Sequence, residues 1–285
     1  MKISIMSDLH LEFAPLSGFP GGDVLILAGD IWLVRDMRPE KNDAGSRSRR
    51  KRYVKFCREE LSKYSLVLVV TGNHEAYGDL YDDVHVVLRA FLSDNAPHAV
   101  VLINETIQLS GLAFLGTPLW SSCGTSNSAL EKTVRRGMND FRLIRTRRAI
   151  GEGDWAHPGK GLSRTFTPRD ANALHQEAVT WLQGELPRHA SCIVIGHHAP
   201  SFRSAVGHHH GDAGLDTAYC ASLDELIEEH RQIKLWVHGH THREENYRIG
   251  TTRIIANPRG YFPDEPGSHS FNPAAADFEL AELIA

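Results

Sequence analysis

Five short apolar, largely β-branched runs punctuate the chain: KISIM at 2–6, DVLILA at 23–28, LVLVV at 66–70, CIVI at 192–195 and KLWV at 234–237. Each is too short for a helix and too uniformly apolar for a half-exposed strand, so each reads as a strand buried on both faces. Between them the period changes. SRRKRYVKFCREELSKY at 48–64 brings Tyr53, Val54, Cys57 and Leu61 together at helical spacing. TPRDANALHQEAVTWLQGEL at 167–186 opens with Thr167 as a cap, Pro168 in the first turn and Asp170 behind it. SLDELIEEH at 222–230 opens with Ser222 and Glu225 as a capping box. Two stretches alternate with period two about a glycine or short turn, TIQLSGLAFLG at 106–116 and YRIGTTRIIAN at 247–257, and predict hairpins. A last strand is predicted within AADFELAEL at 275–283. Alternating strands and helices predict an α/β fold. No repeat, low-complexity tract or linker interrupts the pattern, so residues 1–285 read as a single domain. The segment 140–166, rich in arginine and glycine, reads as a long loop of the kind that covers sites.

Each buried run ends directly in polar residues able to bind a metal. SDLH carries Asp8 and His10, GD carries Asp30, and TGNHE carries Asn73 and His74; GHH carries His197 and His198, and HGHTH carries His238, His240 and His242. Ligands bind at the carboxyl ends of strands in open α/β sheets, so five such exits can converge on one cleft. A tight turn explains a single Gly-Asn pair. It does not explain five exits that all carry oxygen or nitrogen ligands. Asp8 and His10 are spaced i and i+2, as are His240 and His242, which in extended backbone directs both members to one side. Glycines before Asp30, Asn73, His197 and His240 let the backbone approach an ion closely. A set mixing carboxylate, imidazole and amide suits Mn²⁺, Fe or Zn²⁺ better than Ca²⁺ or copper.

Composition narrows the reading further. The 17 histidines are the unusual count and favour metal or proton chemistry. A net charge of −4 supplies no global basic field for nucleic acid. The basic run RSRRKR at 47–52 and the arginines between Arg135 and Arg148 lack interleaved aromatics, and read as a solvated helix face and loop. Cys57, Cys123, Cys192 and Cys220 form no CxxC, which argues against a zinc ribbon or disulfide framework and fits a reducing cytosol. The N-terminal apolar run is too short for a signal peptide, and no stretch reaches membrane-spanning length. A cytoplasmic protein that engages no membrane is expected.

The ordered set D-x-H, GD, GNH[DE], GH and GHxH, running from Asp8 to His242, resembles the calcineurin-like metallophosphoesterases. The resemblance implies a four-layer α/β/β/α sandwich with two mixed β-sheets flanked by helices. It implies two divalent metal ions, Mn²⁺ foremost, with Fe or Zn²⁺ as alternatives. By motif match Asp8, His10, Asp30 and His242 would hold one ion; Asp30 would bridge to a second, held also by Asn73, His197 and His240. Asn73 and His74 would face the substrate, and His74 would be the catalytic general acid. The implied reaction is hydrolysis of a phosphate ester by in-line attack of a metal-bridging hydroxide, with His74 protonating the leaving oxygen.

The chain departs from the family pattern at one place. Relatives often carry GDxxD, whose second aspartate orients the GNH histidine; here GDIWL puts Leu33 at that position. Either the orienting residue is missing, or Asp36 or another carboxylate substitutes. The arginine-glycine pair of phosphoprotein phosphatases is also missing after this motif. The second histidine of GHH, His198, is expected beside the ligands rather than among them, and His208–His210 as a solvated loop. His238 and the segment NPRGY, with Arg259 and Tyr261, read equally as cleft residues or as packing and turn. Trp32, Leu33 and Trp120 are expected as apolar walls with room for two substituents. The expected substrate is therefore a small phosphodiester, with a phosphomonoester as the alternative; Arg35 or Arg259 would then have to clamp the dianion. A non-catalytic protein-binding scaffold would show lost ligands, and every position of the ligand pattern is filled. A zinc amidase would carry HExxH, which is absent.

Overall fold

The computed structural model describes residues 1–147, 163–205 and 213–284. Strands β1 (Lys2–Met6), β2 (Gly22–Ala28), β3 (Tyr64–Val70) and β4 (Ala99–Val101) run parallel in the first sheet. Strands β5 (Glu105–Leu109) and β6 (Leu112–Gly116) form the first predicted hairpin. A short pair, β7 (Arg145–Thr146) and β8 (Arg164–Thr165), stands apart. Then follow β9 (Cys192–Ile195), β10 (Ile233–Val237), the second hairpin β11 (Glu245–Ile249) and β12 (Thr252–Ala256), and β13 (Asp277–Glu279). The first sheet has the order β13-β1-β2-β3-β4 and the second β11-β12-β10-β9-β6-β5. Strand β13 pairs antiparallel with β1, and the hairpins put antiparallel edges on the second sheet, so both sheets are mixed.

The helices are α1 (Ala44–Glu59), α2 (Tyr81–Asn95), α3 (Ser128–Gly137), α4 (Asp140–Leu143), α5 (Pro168–Glu185), α6 (Ala213–Tyr219), α7 (Asp224–Glu229) and α8 (Leu280–Ile284). Strand alternation sorts the core into three layers. In β2, Leu25 and Leu27 face Tyr53 and Phe56 of α1 and Leu88 of α2, while Val24, Ile26 and Ala28 face the other sheet. Between the sheets these meet Phe114, Ile193, Ile195, Leu235 and Val237. The outer face of the second sheet buries Leu115, Val194 and Trp236 against Leu182 of α5 and Ile227 of α7. Both faces of each sheet are therefore dry, which is why the strands read as unbroken apolar runs. The result is helix, sheet, sheet, helix, as the family resemblance implies.

Differences from the sequence reading are local. Helix α1 stops at Glu59, and Tyr64 already belongs to β3. Helix α5 has the expected capping box between Thr167 and Asp170. Helix α7 does not: its N-cap is Leu223, which offers no side-chain acceptor, and Ser222 lies one residue too early. Helix α2 was not marked by any cap in the sequence, and indeed its N-cap is Leu80. Of the loop expected over 140–166, residues 140–147 and 163–166 form α4 and the β7–β8 pair; the rest lies outside the described residues. No described helix is long and apolar enough to cross a membrane.

Phe114 is fully buried between the sheets. Phe114→Ala is expected to cost about 3–5 kcal/mol in urea denaturation, whereas Val86→Ala, at an exposed position of α2, should stay within about 0.5 kcal/mol.

Candidate active site

The exits of β1, β2, β3, β9 and β10 meet at one edge where both sheets end. The backbone there is forced. Asp8, His10, Asp30, His240 and His242 all take left-handed conformations, with φ of 51°, 44°, 57°, 68° and 50°. For residues with a Cβ such conformations cost about 1–3 kcal/mol each and persist only where the surroundings impose them. Each is imposed as the chain leaves a strand and turns its side chain inward. Three of the four glycines are required by crowding: a Cβ on Gly29 would lie 2.3 Å from His197 Nδ1, one on Gly72 2.2 Å from Asp30 Oδ1, and one on Gly239 2.5 Å from Asp8 Oδ2. Gly196 is not under that constraint, its nearest neighbour being at 3.4 Å.

Two overlapping clusters result, one of Asp8, His10, Asp30 and His242 and the other of Asp30, His197 and His240. Asp30 belongs to both. Its Oδ2 lies 3.9 Å from His10 Nε2 and 3.5 Å from His197 Nε2. His242 Nε2 is 3.5 Å from Asp8 Oδ1 and 3.0 Å from His10 Nε2. Asn73 Oδ1 is 3.1 Å from His197 Nε2, so the amide oxygen joins the second cluster. All seven residues expected as ligands are thus brought together.

The outer nitrogens of three of the four cluster histidines are already engaged. His10 Nδ1 meets Glu12 at 3.0 Å, His197 Nδ1 meets the Ala28 carbonyl at 2.8 Å, and His242 Nδ1 meets Glu265 at 2.8 Å. Each bond turns the Nε2 toward the cluster, the usual way a protein orients imidazole ligands. Asp8 Oδ2 and His240 Nε2 are buried with no partner among the described residues. An orphaned buried acceptor in each cluster, and the His10 and His242 Nε2 atoms facing one another at 3.0 Å, fit cations held there. The residues present therefore fit a pair of divalent ions.

The electrostatics agree. Burial would raise the Asp30 carboxyl, but the imidazoles of His197 and His74 outweigh it and hold it well below the usual range. Burial would lower His197, yet Asp30 pushes it up to about 10. His240 is held well below the usual imidazole range by burial and by His198 and His197 beside it.

Several supporting residues were not visible in the sequence. Asp140 on α4 accepts from Asn73 Nδ2 at 2.8 Å and from the Tyr77 hydroxyl at 2.6 Å, which fixes which end of the Asn73 amide faces the ions. Glu75 is fully ringed by main chain: it accepts from the backbone N–H groups of Asp30, Ile31, Trp32 and Gly72 at 2.6–3.3 Å. Burial and the nearby Asp30 push its carboxyl up to about 7. His74 is not in either ligand cluster with Asp30. Its Nδ1 is 3.0 Å from Glu12 Oε1 and its Nε2 is 3.0 Å from the Tyr261 hydroxyl. Burial works to lower its pKa, but Asp30 and Glu12 prevail and raise it to about 9. The three-membered group of His10, Glu12 and His74 also lies close enough to hold a cation by distance alone. Each of its imidazole contacts with Glu12 is, however, already a hydrogen bond.

Other expectations are corrected. Trp32 does not wall the cleft; it is fully buried against Tyr53 and Phe56. Leu33 packs on the same core. Trp120 lies behind His198, ring centroids 5.0 Å apart, and His198 in turn lies against His240 at 4.2 Å. A cleft of about 210 Å³ instead opens beside Tyr77, Met138, Asn139, Tyr219, Tyr261 and Glu265. Asp36 does not reach His74; it is bound by Ser46 Oγ at 2.7 Å and by Arg49 at 2.5 and 3.0 Å. The basic run is not merely solvated: Arg50 donates to the Asp36 carbonyl and Arg52 to the Leu11 carbonyl. Arg259 donates to the carbonyls of Leu9, Ala14 and Pro15 and so clamps a loop rather than a phosphate. His238 is packing: it meets Ser204 Oγ at 3.1 Å and the Gly239 carbonyl at 2.9 Å. His208–His210 lie outside the described residues.

Residues 1–244 match the family model described as calcineurin-like phosphoesterase. An uncharacterised protein, L509, of Acanthamoeba polyphaga mimivirus is 24% identical over 291 residues, covering 95% of this chain and 94% of its own. Among solved structures, the phosphopantetheinyl hydrolase of Mycobacterium tuberculosis superposes with a TM-score of 0.58 at 15% identity, over 91% of this chain and 89% of that one. A dimetal phosphatase from Danio rerio gives 0.46 at 10% identity, over 90% of this chain and 86% of that one.

Asp30 is the carboxylate shared by both clusters. Asp30→Asn is expected to lose at least one ion per chain, measured by inductively coupled plasma mass spectrometry after Mn²⁺ loading, while circular dichroism shows the fold retained. Two retained ions would remove Asp30 from the bridging position.

Proposed function

This chain belongs to the calcineurin-like phosphoesterase family and is a metal-dependent hydrolase of phosphate esters, and on that premise we propose that it is a phosphodiesterase with His74 as general acid. One observation carries the preference for diesters. Among the described residues lining the cleft there is no arginine or lysine; tyrosines, Met138 and Asn139 take their place, with Glu265 at the rim. A monoester dianion needs cationic help beyond the ions, usually from arginine forks. A diester carries one charge and needs apolar room for its second substituent, which Tyr219, Tyr261 and Met138 offer. A small phosphodiester is therefore the proposed substrate. The likeness to a phosphopantetheinyl hydrolase is compatible with a long, mostly neutral substituent on phosphorus.

Asp8, His10, Asp30 and His242 would hold one ion, and Asp30, Asn73, His197 and His240 the other, with Mn²⁺ the proposed metal. When bound, two such ions supply Lewis acidity to the phosphoryl oxygens and an acidified water as nucleophile. The chain's own residues do the rest. Asp140 and Tyr77 keep the Asn73 oxygen facing inward. His74, with Nδ1 anchored on Glu12, directs Nε2 at the hydroxyl of Tyr261, which lines the cleft. A leaving oxygen at that place would take the proton from Nε2. The raised pKa of His74 keeps that proton available at neutral pH. The filled ligand pattern disfavours a non-catalytic scaffold, which has no use for orphaned buried acceptors.

Two measurements follow from this reading. His74→Ala should keep both ions and lose rate on the order of 10²-fold for a diester with an alkyl leaving group. The loss should shrink for a nitrophenolate leaving group, which hardly needs a proton. Falling metal content in the same variant would make His74 a ligand instead. With Mn²⁺, bis-p-nitrophenyl phosphate should be hydrolysed with higher kcat/KM than p-nitrophenyl phosphate at the same pH. A clear preference for the monoester would overturn the diester reading and leave the phosphatase alternative.

A further inference from the structure

The acid role of His74 needs something to fix its ring, and neither position 33 nor Asp36 does so. The carboxylate that reaches it is Glu12, two residues beyond His10. Glu12 Oε1 lies 3.0 Å from His74 Nδ1 and 3.0 Å from His10 Nδ1. The two imidazoles stand edge to face with centroids 4.5 Å apart, side by side over that oxygen. Oε2 is buried and has no partner among the described residues, so both bonds fall on a single atom. The Glu12 side chain is only 5% exposed. Its backbone is fixed on both sides, since Leu11 N–H donates to the Ile31 carbonyl and Phe13 N–H donates to the His10 carbonyl.

We propose that Glu12 is a positioning residue that ties the proton donor His74 to the metal ligand His10 through one carboxylate oxygen. The inference rests on the reading of His74 as an acid. A carboxylate can only accept, so each Nδ1 facing it must carry the hydrogen. The consequence differs for the two rings. In His10 the hydrogen on Nδ1 leaves the Nε2 lone pair free, and Nε2 faces His242 and Asp30 in the first ligand cluster. That is the tautomer a cation requires. In His74 the same bond turns Nε2 away from Glu12 and onto the Tyr261 hydroxyl, the side from which a proton would be given. One negative charge thereby prepares one histidine to bind an ion and its neighbour to release a proton. Loss of Glu12 should weaken both at once, which no residue touching His74 alone would do.

The experiment uses the full chain as Glu12→Ala and Glu12→Gln, each alone and combined with His74→Ala, with circular dichroism to confirm folding. Mn²⁺ affinity is measured by titration followed by electron paramagnetic resonance, and kcat/KM is measured for diesters of nitrophenyl and alkyl leaving groups. Glu12→Ala should weaken Mn²⁺ binding by about 10–100-fold and lose more rate with alkyl than with nitrophenyl leaving groups. Glu12→Gln keeps an acceptor without the charge, so it should recover much of the Mn²⁺ affinity but little of the alkyl-ester rate. In the His74→Ala background Glu12→Ala should still weaken Mn²⁺ binding and add no further dependence on the leaving group. Unchanged Mn²⁺ affinity in Glu12→Ala, or a rate loss equal for all leaving groups while His74→Ala itself discriminates, would overturn the proposal. If His74→Ala shows no dependence on the leaving group, the acid reading falls by itself, and the tie to His10 is judged on Mn²⁺ affinity.

Discussion

The structure is organised around the burial of one carboxylate. Asp30 lies at the end of β2 with almost no exposure, in a left-handed conformation, and its charge must be answered locally. Its Oδ1 accepts the backbone N–H of His74 at 2.8 Å, and its Oδ2 faces His10 and His197. An ionised group this deep would be costly without such partners. The neighbouring elements are arranged to provide them. The turn after β3 brings the His74 amide, β9 brings His197, and the turn after β1 brings His10. The strained backbone at five ligand positions is the local cost of that convergence.

Glu75 is the frame on which this arrangement hangs. Four backbone N–H groups from the exits of β2 and β3 converge on its two oxygens. Those donors lie beyond the strand ladders, and the carboxylate takes the place of the missing piece of ladder. It holds the two exits in register while their side chains turn toward the ions. Asp140 and Glu265 play the matching part at the rim, one orienting Asn73 and the other His242. The site is thus a small set of side chains able to hold cations, backed by carboxylates that orient them.

Much of this was legible from the sequence, for a physical reason. A strand buried on both faces must be apolar throughout, so its end is abrupt, and the first polar residues after it are conspicuous. All seven expected ligands were readable in that way. What failed was the direction of side chains in irregular segments. Trp32 follows Asp30 closely and is large, yet the turn points it into the helix-side core. Arg259 is near the cleft in sequence, yet its donors go to a loop. Glu12 was overlooked because it continues the i, i+2 rhythm of Asp8 and His10 only in sequence; it reaches His74 through a turn that has no periodic signature. Asp140 lies in a stretch with no pattern at all. The cap expected at Ser222 failed by one residue, within the ordinary uncertainty of helix boundaries.

The two sheets contribute different halves of the cluster. Asp8, His10, Asp30 and Asn73 follow strands of the first sheet, and His197, His240 and His242 follow strands of the second. Behind them the sheets are joined by an apolar seam of Ile, Val and Leu side chains, which has no directional bonds to fix how one sheet is registered on the other. At the mouth several polar bonds cross that division: His240 N–H donates to Asp8 Oδ1 at 2.9 Å, Ser7 N–H to the Asn257 carbonyl at 3.0 Å and Asn257 Nδ2 to the Ile5 carbonyl at 2.9 Å. A pair of ions shared between the halves would act as a clasp on a greasy hinge. The same coordination that prepares the reaction would reinforce, at the mouth, the polar bonds that register one layer on the other.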